Sequence, residues 1–292
     1  MTEKSKIKIY NDVLLKKLSV YLNIEPCHIK PELIETVCEQ CALETEEAYS
    51  YVLASAMFFD VAGKEDDREL FELYFPYMIR ELDNDEYESD PYMLEVFLPE
   101  CKEEEWEIKG CRYAPCEAFV RDDFLYMPDG RVIAQIGFFM REYAYPCVFQ
   151  GGREWMLITP NEINTMKKPI NKARGKVLTF GLGLGYFAFM AARKDEVESV
   201  TVVERDKSVI TLFEKYILPQ MSCKDKIRIV CADAFEYAEM EMKDGGFDFV
   251  FADIWHDPSD GVQAYKRLKA CEHNLPDAEF AYWIEDTLKY YL

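Results

Sequence analysis

Residues Lys176 to Ala192 read KVLTFGLGLGYFAFMAA, and this segment is the most informative about the fold. It begins as a short apolar segment typical of a buried strand, passes through three alternating glycines, and continues with a helical pattern. A tight strand-to-helix turn needs positive φ, and a ligand lying against bare main chain tolerates no Cβ. The following helix adds N-terminal amides as donors. The stretch therefore predicts a nucleotide-type binding turn at Gly181, Gly183 and Gly185.

The chain on both sides of this turn alternates strand and helix patterns. The strand-like runs are KVLTF, SVTVVE, KIRIVCAD, FDFVFAD and EFAYWI. Such alternation predicts parallel strands covered by helices on both faces. We expect an α/β fold in residues 159–292, a Rossmann-like doubly wound parallel sheet truncated after its fifth strand. The exposed edge would then be covered by the preceding β-rich segment or by a second subunit, which leaves a homodimer open.

Two further regions precede this predicted domain. Residues 1–108 carry apolar stripes at helical spacing and predict an all-α N-terminal domain. Residues 109–158 predict a small antiparallel β segment, because Asp129-Gly130 and Gly151-Gly152 are hairpin signals between runs rich in Val, Ile, Phe and Tyr. We expect strands over residues 131–139 and 144–159. The TPNE sequence from Thr159 then predicts a capped helix start with proline at its first position.

The composition limits the kinds of partner. The chain has 55 acidic and 34 basic residues, a net charge of -21, which disfavours nucleic acid and favours a neutral or cationic small molecule. No apolar run approaches a membrane span and no signal peptide is recognisable, so we expect a cytoplasmic protein with reduced thiols and no membrane partner. Cys38 and Cys41 form a C-x-x-C, but the sequence has no second pair at a matching distance. Two cysteines on the same face of an amphipathic helix are therefore favoured over a metal site, and no metal is predicted.

The glycine spacing narrows the ligand. A dinucleotide turn follows G-x-G-x-x-G/A, whereas this turn reads G-x-G-x-G and places Tyr186 where a small residue is needed. The Gly-Lys-Ser/Thr ending of a phosphate-binding P-loop is also missing from the sequence. A nucleoside ligand without a phosphate remains compatible with the turn.

Four motifs in order, VLTFGLGLGY, VTVVERD, IRIVCADAFEY and FDFVFADIWHDP, resemble those of class I S-adenosylmethionine-dependent methyltransferases. The resemblance implies that Glu204 binds the ribose hydroxyls, that Asp233 accepts from the adenine amino group beside the Ala234 amide, and that Asp253 lies at the mouth of the active site. Thr179 stands where the family often has an acid. The implied S-adenosylmethionine-binding residues are Phe180, Gly181, Leu182, Gly183, Gly185, Glu204, Arg205, Asp233, Ala234, Asp253 and Trp255.

Within that superfamily the chain looks most similar to the spermidine-synthase-like branch. Asp253 and Asp257 are four residues apart, one more than in aminopropyltransferases. With His256 they form an acid/base cluster, which we take as the catalytic residues. Trp255 would stack on adenine or face a cationic acceptor. The alternative for this stretch is a plain turn that starts a helix.

These observations favour an S-adenosylmethionine-dependent methyltransferase that acts on a small neutral or cationic acceptor. Two alternatives remain open: an aminopropyltransferase similar to spermidine synthase, and a protein that binds S-adenosylmethionine without catalysis. The sequence does not name the acceptor.

Overall fold

The structure, a computed structural model, describes residues 3–103 and 106–292. The chain packs as two compact units, Met1–Glu86 with Arg112–Ala144, and Tyr87–Cys111 with Tyr145–Leu292. The sequence predicted three consecutive parts with boundaries at residues 108 and 158. The two units group the residues in another way and do not test those boundaries, so the three-part division stays a prediction. Each unit is discontinuous in sequence, a property that a reading along the chain does not reveal.

The chain has helices and strands throughout. The helices are α1 (Glu3–Ile24), α2 (Pro31–Cys41), α3 (Thr45–Ala56), α4 (Glu65–Met78), α5 (Asn84–Glu88), α6 (Pro91–Glu95), α7 (Pro160–Lys172), α8 (Tyr186–Ala192), α9 (Lys207–Leu212), α10 (Ala234–Met240), α11 (Pro258–Lys269) and α12 (Glu285–Tyr290). The strands are β1 (Ile79–Glu81), β2 (Cys101–Glu103), β3 (Trp106–Tyr113), β4 (Phe119–Tyr126), β5 (Val132–Phe138), β6 (Tyr143–Gln150), β7 (Arg153–Leu157), β8 (Gly175–Phe180), β9 (Val197–Glu204), β10 (Ile227–Cys231), β11 (Phe249–Ala252) and β12 (Glu279–Tyr282). In the part of the chain that the structure describes, no helix is long and apolar enough to cross a membrane.

The first unit has helices α1–α4 and a three-stranded sheet in the order β1-β5-β4. Its core includes Leu14 and Leu18 from the predicted stripe of α1, and Tyr49 stacks on Phe138 with ring centroids 3.8 Å apart. The N-terminal region is not purely helical, because Ile79–Glu81 pairs in parallel with β5. Strand β4 was not predicted, since irregularities in its pairing with β5 interrupt the alternation on which a strand prediction depends.

The second unit has an antiparallel sheet in the order β2-β3-β6-β7. The predicted hairpin forms between β6 and β7, and both turn glycines have positive φ, 56° at Gly151 and 83° at Gly152. Two consecutive residues with positive φ suit the turns whose twist matches that of paired strands. Glycine adopts this conformation without the steric cost that a side chain would add.

The same unit contains the predicted five-stranded parallel sheet, in the order β10-β9-β8-β11-β12. The α/β, Rossmann-like fold class is therefore confirmed. Crossovers from β8 to β9 to β10 run one way, and β11 and β12 add on the other side of β8. Because such crossovers are right-handed, the helices after β8 and β9 lie on one face and those after β10 and β11 on the other. The strand order reverses between β8 and β11, where ligands bind in such sheets.

Candidate cofactor and active site

A cavity of about 750 Å³ lies at the carboxyl ends of the parallel strands. Gly181 follows β8, Glu204 ends β9, and Asp233 and Asp253 follow β10 and β11; all four line the cavity. The Asp253 N–H donates to the Phe180 carbonyl at 2.9 Å, so the two strands that flank the switch point remain paired to their ends. The predicted residues are thus brought together where the strand order reverses.

Glycine occupies the three positions of the turn for different physical reasons. At Gly181 (φ 96°) an added Cβ would lie 1.9 Å from the Asp253 carbonyl oxygen, and at Gly185 (φ 77°) it would lie 2.3 Å from Cε2 of Phe213. At Gly183 (φ 52°) it would meet no atom within 4 Å. The protein's own packing therefore requires two of the glycines. Only Gly183 leaves open space toward the cavity, and Gly185 is not part of the cavity wall.

Tyr186 joins the glycine turn to the start of α6. Its hydroxyl donates to Asp90 Oδ2 at 2.9 Å, while Asp90 Oδ1 accepts the Tyr92 N–H at 2.9 Å and so caps α6. The Tyr92 hydroxyl in turn donates to the Leu184 carbonyl at 2.7 Å. Both tyrosines are buried. A bulky residue follows the last glycine because its hydroxyl and ring hold the turn against α6.

Glu204 lies on the cavity wall and also supports the glycine turn. Its Oε2 accepts the Leu182 N–H at 3.2 Å, and its Oε1 accepts the Asp206 N–H at 2.8 Å. Each carboxylate oxygen has a second lone pair, so both can still accept from a ligand. Arg205 is exposed at the cavity edge. This geometry suits the predicted grip on two ribose hydroxyls.

Asp233 is the N-cap of α10. Its Oδ1 accepts the backbone N–H groups of Phe235 at 2.9 Å and Glu236 at 3.1 Å. Ala234 is buried beside it, and Phe235 joins both on the cavity wall. The cap orients the Asp233 carboxylate. The Phe235 ring, whose centroid lies 4.3 Å from the Arg267 guanidinium carbon, was not identified by the sequence reasoning.

Asp253 and Glu162 are carboxyl groups that line the same cavity and interact electrostatically. Burial raises the pKa of Asp253 from its usual 3.8 to about 7. Burial, together with the charge of Asp253, raises the pKa of Glu162 well above its ordinary 4.5. Burial disfavours the charged form of both groups and the charge of Asp253 disfavours that of Glu162, so at neutral pH the pair retains a proton.

Glu162 was predicted only as part of a helix cap. Thr159 does cap α7, since its side chain accepts the Glu162 N–H at 3.4 Å, and Pro160 occupies the first helical position as expected. The capping-box pattern assigns the Glu162 side chain to the Thr159 N–H. In the structure that side chain instead lines the cavity and interacts with Asp253. The capping pattern concealed its place in the site.

The two other predicted catalytic residues belong to the start of α11. Asp257 is its N-cap, with Oδ1 accepting the Ser259 N–H at 2.6 Å, and it is not part of the cavity wall. Asp260 returns the interaction by accepting the Asp257 N–H at 3.1 Å, which completes a capping box. Burial alone would raise the pKa of Asp260, but hydrogen bonds from Asp257 and His256 lower it. The alternative of a helix-starting turn thus describes Asp257 well, and its catalytic role stays a prediction.

His256 lies at the cavity edge. Its Nδ1 is 3.2 Å from Asp260 Oδ2, and its ring packs edge-on against Trp155 with centroids 4.6 Å apart. Both rings line the cavity, as does Trp283, whose indole N–H donates to Thr165 at 2.9 Å. The aromatic wall from Trp155 and Trp283 was not predicted, because those residues are far from the glycine turn in sequence.

Trp255, Phe180 and Thr179 are mostly engaged in packing. The indole of Trp255 is 5% exposed and lies against Gly261, where an added Cβ would be 2.8 Å from its Cδ1. Phe180 is buried against Tyr237 and contributes its carbonyl to the sheet. Thr179 is 2% exposed and reaches the cavity. Stacking of adenine on Trp255 stays a prediction.

The charge of the cavity is strongly acidic. Seven carboxyl side chains and two arginines line it among the described residues. The carboxyl residues are Glu154, Glu162, Glu204, Asp206, Asp233, Asp253 and Asp260, and the arginines are Arg205 and Arg267. Such an excess attracts cationic ligands and repels anionic ones. The residues fit a nucleoside sulfonium, because Gly183 leaves room against the main chain and Glu204 retains free lone pairs nearby.

Comparison with known proteins gives a family match for part of the chain. Residues 161–273 match the family model "Spermine/spermidine synthase domain". No curated protein matches the chain.

The solved structures that are similar to part of the chain include two spermidine synthases and a putative methyltransferase. A spermidine synthase from Thermotoga maritima is 21% identical over 47% of this chain and 48% of its own, with a TM-score of 0.34. A spermidine synthase in complex with the transition state analogue AdoDATO is 22% identical over 47% of this chain and 50% of its own, with a TM-score of 0.36. A putative SAM-dependent methyltransferase from Streptococcus mutans is 18% identical over 44% of this chain and 36% of its own, with a TM-score of 0.34.

The chain thus spans about half the length of the two spermidine synthases. The domain match covers the glycine turn, Glu204, Asp233 and Asp253. The resemblance to the spermidine-synthase-like branch that the four motifs predict is confirmed for residues 161–273.

Proposed function

We propose that this chain is a transferase that moves a methyl group from S-adenosylmethionine to a small amine. The observation that carries the proposal is the pair of buried, electrostatically interacting carboxyl groups of Glu162 and Asp253 in an acidic cavity that the glycine turn also lines. The domain match over residues 161–273 supports a transferase of this general kind. The pair adds a carboxylate that can accept the proton which an amine acceptor has to lose.

The donor side of the cavity would hold the nucleoside. The open main chain at Gly183 would lie against it, Glu204 would accept from both ribose hydroxyls, and Asp233 would accept from the adenine amino group. When bound, S-adenosylmethionine supplies a methyl group already activated by its sulfonium. The protein therefore has to align the acceptor and manage a proton.

Asp253 is suited to that proton. An amine acceptor is mostly an ammonium ion at neutral pH, and its nitrogen becomes nucleophilic only after it loses a proton. Asp253, with its pKa raised to about 7, can accept a proton near neutral pH. Glu162 beside it, which retains the proton of the pair, would accept a hydrogen bond from the ammonium through its carbonyl oxygen and hold it within reach. The acceptor proton thus moves to Asp253 while the nitrogen gains the methyl group.

Aminopropyl transfer is the second candidate, favoured by the spermine/spermidine synthase match. The acidic lining also suits a decarboxylated donor, which lacks the carboxylate that the ionised carboxyl groups of the cavity would repel. Against it, Asp257 caps α11 rather than joining Asp253 in the cavity. A protein that binds the donor without turnover is the third candidate.

One experiment separates the three. The full chain is incubated with S-adenosylmethionine or with its decarboxylated form, together with a panel of primary and secondary amines, and the nucleoside products are quantified. S-Adenosylhomocysteine formed only in the presence of an amine supports the proposal. Methylthioadenosine from the decarboxylated donor supports aminopropyl transfer. Tight donor binding by calorimetry with neither product supports the non-catalytic alternative, and no binding of either donor overturns all three.

A further inference from the structure

Cys111, Cys147 and Glu154 form a cluster of metal-ligating side chains within the second unit. Their ligand atoms, two sulfurs and a carboxylate oxygen, all lie within 4.8 Å of one another. No other group of three or more such side chains stands this close together among the described residues. The C-x-x-C of Cys38 and Cys41, which the sequence offered as a candidate, is not part of any such group.

The sheet explains why these residues meet. Cys111 is on β3, Cys147 on β6 and Glu154 on β7, three consecutive strands of the antiparallel sheet. Phe149, two residues after Cys147, pairs in register with Glu154. Lys109, two residues before Cys111, lies with its Nζ 3.7 Å from the Phe149 ring centroid. Because alternate residues share a face, the two thiols and the carboxylate project from the same face of the sheet.

The spacing and the donor types fit a thiophilic divalent cation. We propose that Cys111, Cys147 and Glu154 bind a Zn²⁺ ion on this face, with the fourth position open to water. Tetrahedral zinc with sulfur ligands at about 2.3 Å separates the sulfurs by ~3.8 Å, so a small inward movement of the side chains completes the site. Mixed thiolate and carboxylate ligands favour zinc over calcium or magnesium.

The three ligands differ in burial, so the site has a buried ligand held by the sheet and an exposed side from which an ion can enter. Cys147 is buried, Cys111 is half-buried and Glu154 is exposed. An ion would reach the thiols from the Glu154 side. The ion would join β3, β6 and β7, and β7 supplies Glu154, Trp155 and Met156 to the wall of the large cavity. Zinc is therefore expected to stiffen that wall, independently of any reaction in the cavity.

The test uses the untagged, reduced full chain, freed of metal and titrated with Zn²⁺ against a chromophoric chelator. One equivalent is expected to bind. Substitution with Co²⁺ is expected to give sulfur-to-cobalt charge-transfer absorption. Cys111→Ser and Glu154→Gln should each weaken binding by about 100-fold or more, since losing even an outer partner of a metal site costs about 10- to 100-fold. Substitution of the buried Cys147 would also affect folding, so the test relies on Cys111 and Glu154.

The matched control is the double variant Cys38→Ser/Cys41→Ser, which removes two thiols from α2. It should bind Zn²⁺ like the unaltered chain. Equal binding by Cys111→Ser and the unaltered chain overturns the proposal, as does loss of binding in the α2 variant alone. Failure of the reduced chain to bind Zn²⁺, with Cys111 and Cys147 forming a disulfide on oxidation, also overturns it and identifies the pair as a redox couple.

Discussion

The Leu182 N–H donates to Glu204 Oε2 at 3.2 Å, which joins the glycine turn to the carboxylate at the end of the neighbouring strand. The residue predicted to bind the ribose is thus also a support for the main chain against which the nucleoside would lie. Loss of the Glu204 side chain would therefore affect the ligand in two ways. A variant that retains one acceptor oxygen separates the loss of ribose binding from the loss of support for the turn.

Glu204→Ala is expected to weaken S-adenosylmethionine binding by about 10- to 100-fold, because hydrogen bonds to a charged group contribute about 1.5 to 3 kcal/mol. Glu204→Gln keeps an acceptor for the Leu182 N–H but loses the charge, and should fall between. Calorimetric titration measures both. The control is Glu198→Gln, an exposed position on the same strand, where affinity should not change. A Glu204→Ala affinity within a factor of two of the original excludes the ribose assignment.

Alanine at Gly185 should mainly reduce stability, whereas alanine at Gly183 should mainly weaken donor binding. Gly185→Ala places a Cβ 2.3 Å from Phe213 and should lower the free energy of unfolding by about 2 to 5 kcal/mol, from overpacking and a left-handed backbone. Gly183→Ala meets no protein atom and should cost only about 1 to 2 kcal/mol for its backbone. Its Cβ would instead occupy the space in front of the turn and weaken donor binding.

Urea unfolding and donor titration of both glycine variants measure this contrast. The assignment of the open space to the nucleoside depends on Gly183→Ala binding the donor less tightly while remaining folded. If Gly183→Ala binds S-adenosylmethionine as tightly as the unaltered chain, the ligand lies elsewhere in the cavity.

Much of the fold was predictable because it is encoded in local patterns. Alternating strand and helix runs gave the five-stranded sheet, and the residues that end each strand, such as Glu204 and Asp253, necessarily meet at one edge. Thr159 and Pro160 marked the start of α7 correctly, since a cap is a contact between near neighbours. The short pattern was ambiguous at Asp257, where the same residue satisfies both a helix cap and a catalytic motif.

The parts that escaped prediction depend on contacts between distant segments. Glu162 and Asp253 line the same cavity although they are far apart in sequence, and the local capping pattern of Glu162 pointed elsewhere. Cys111 and Cys147 meet through the order of strands in an antiparallel sheet, which their separation in sequence does not specify. Asp90 and Tyr186 likewise meet across the unit. Such pairs require the register and packing of the folded chain.

Tyr186→Phe is expected to lower the free energy of unfolding by about 1 to 3 kcal/mol, because it removes a hydrogen bond from the buried Asp90 carboxylate. The comparison is Tyr51→Phe, where the exposed ring keeps its stack on Phe71 and the change should be under about 0.5 kcal/mol. Urea unfolding measures both. Equal stability of the two variants means that the Tyr186 hydroxyl does not hold the turn.

The raised pKa of Asp253 predicts a pH dependence of stability with a definite sign. Its folded-state pKa of about 7 lies above the unfolded value near 3.8, so the folded state binds more protons between those values. The free energy of unfolding should therefore fall as pH rises from about 4 to about 7. Glu162, whose pKa is raised as well, adds to the same slope. Urea unfolding across this range measures it.

Asp253→Asn tests whether that slope belongs to the carboxyl pair. Without the Asp253 charge, the pKa of Glu162 should fall, because one of the causes of its rise is removed. Stability should then depend less on pH, while Asp195→Asn, which removes an exposed carboxylate, should leave the slope unchanged. In the unaltered chain, the rate of amine methylation should rise with pH as Asp253 ionises near pH 7. A stability slope that Asp253→Asn leaves intact shows that other groups titrate, and a rate independent of pH excludes Asp253 as the base.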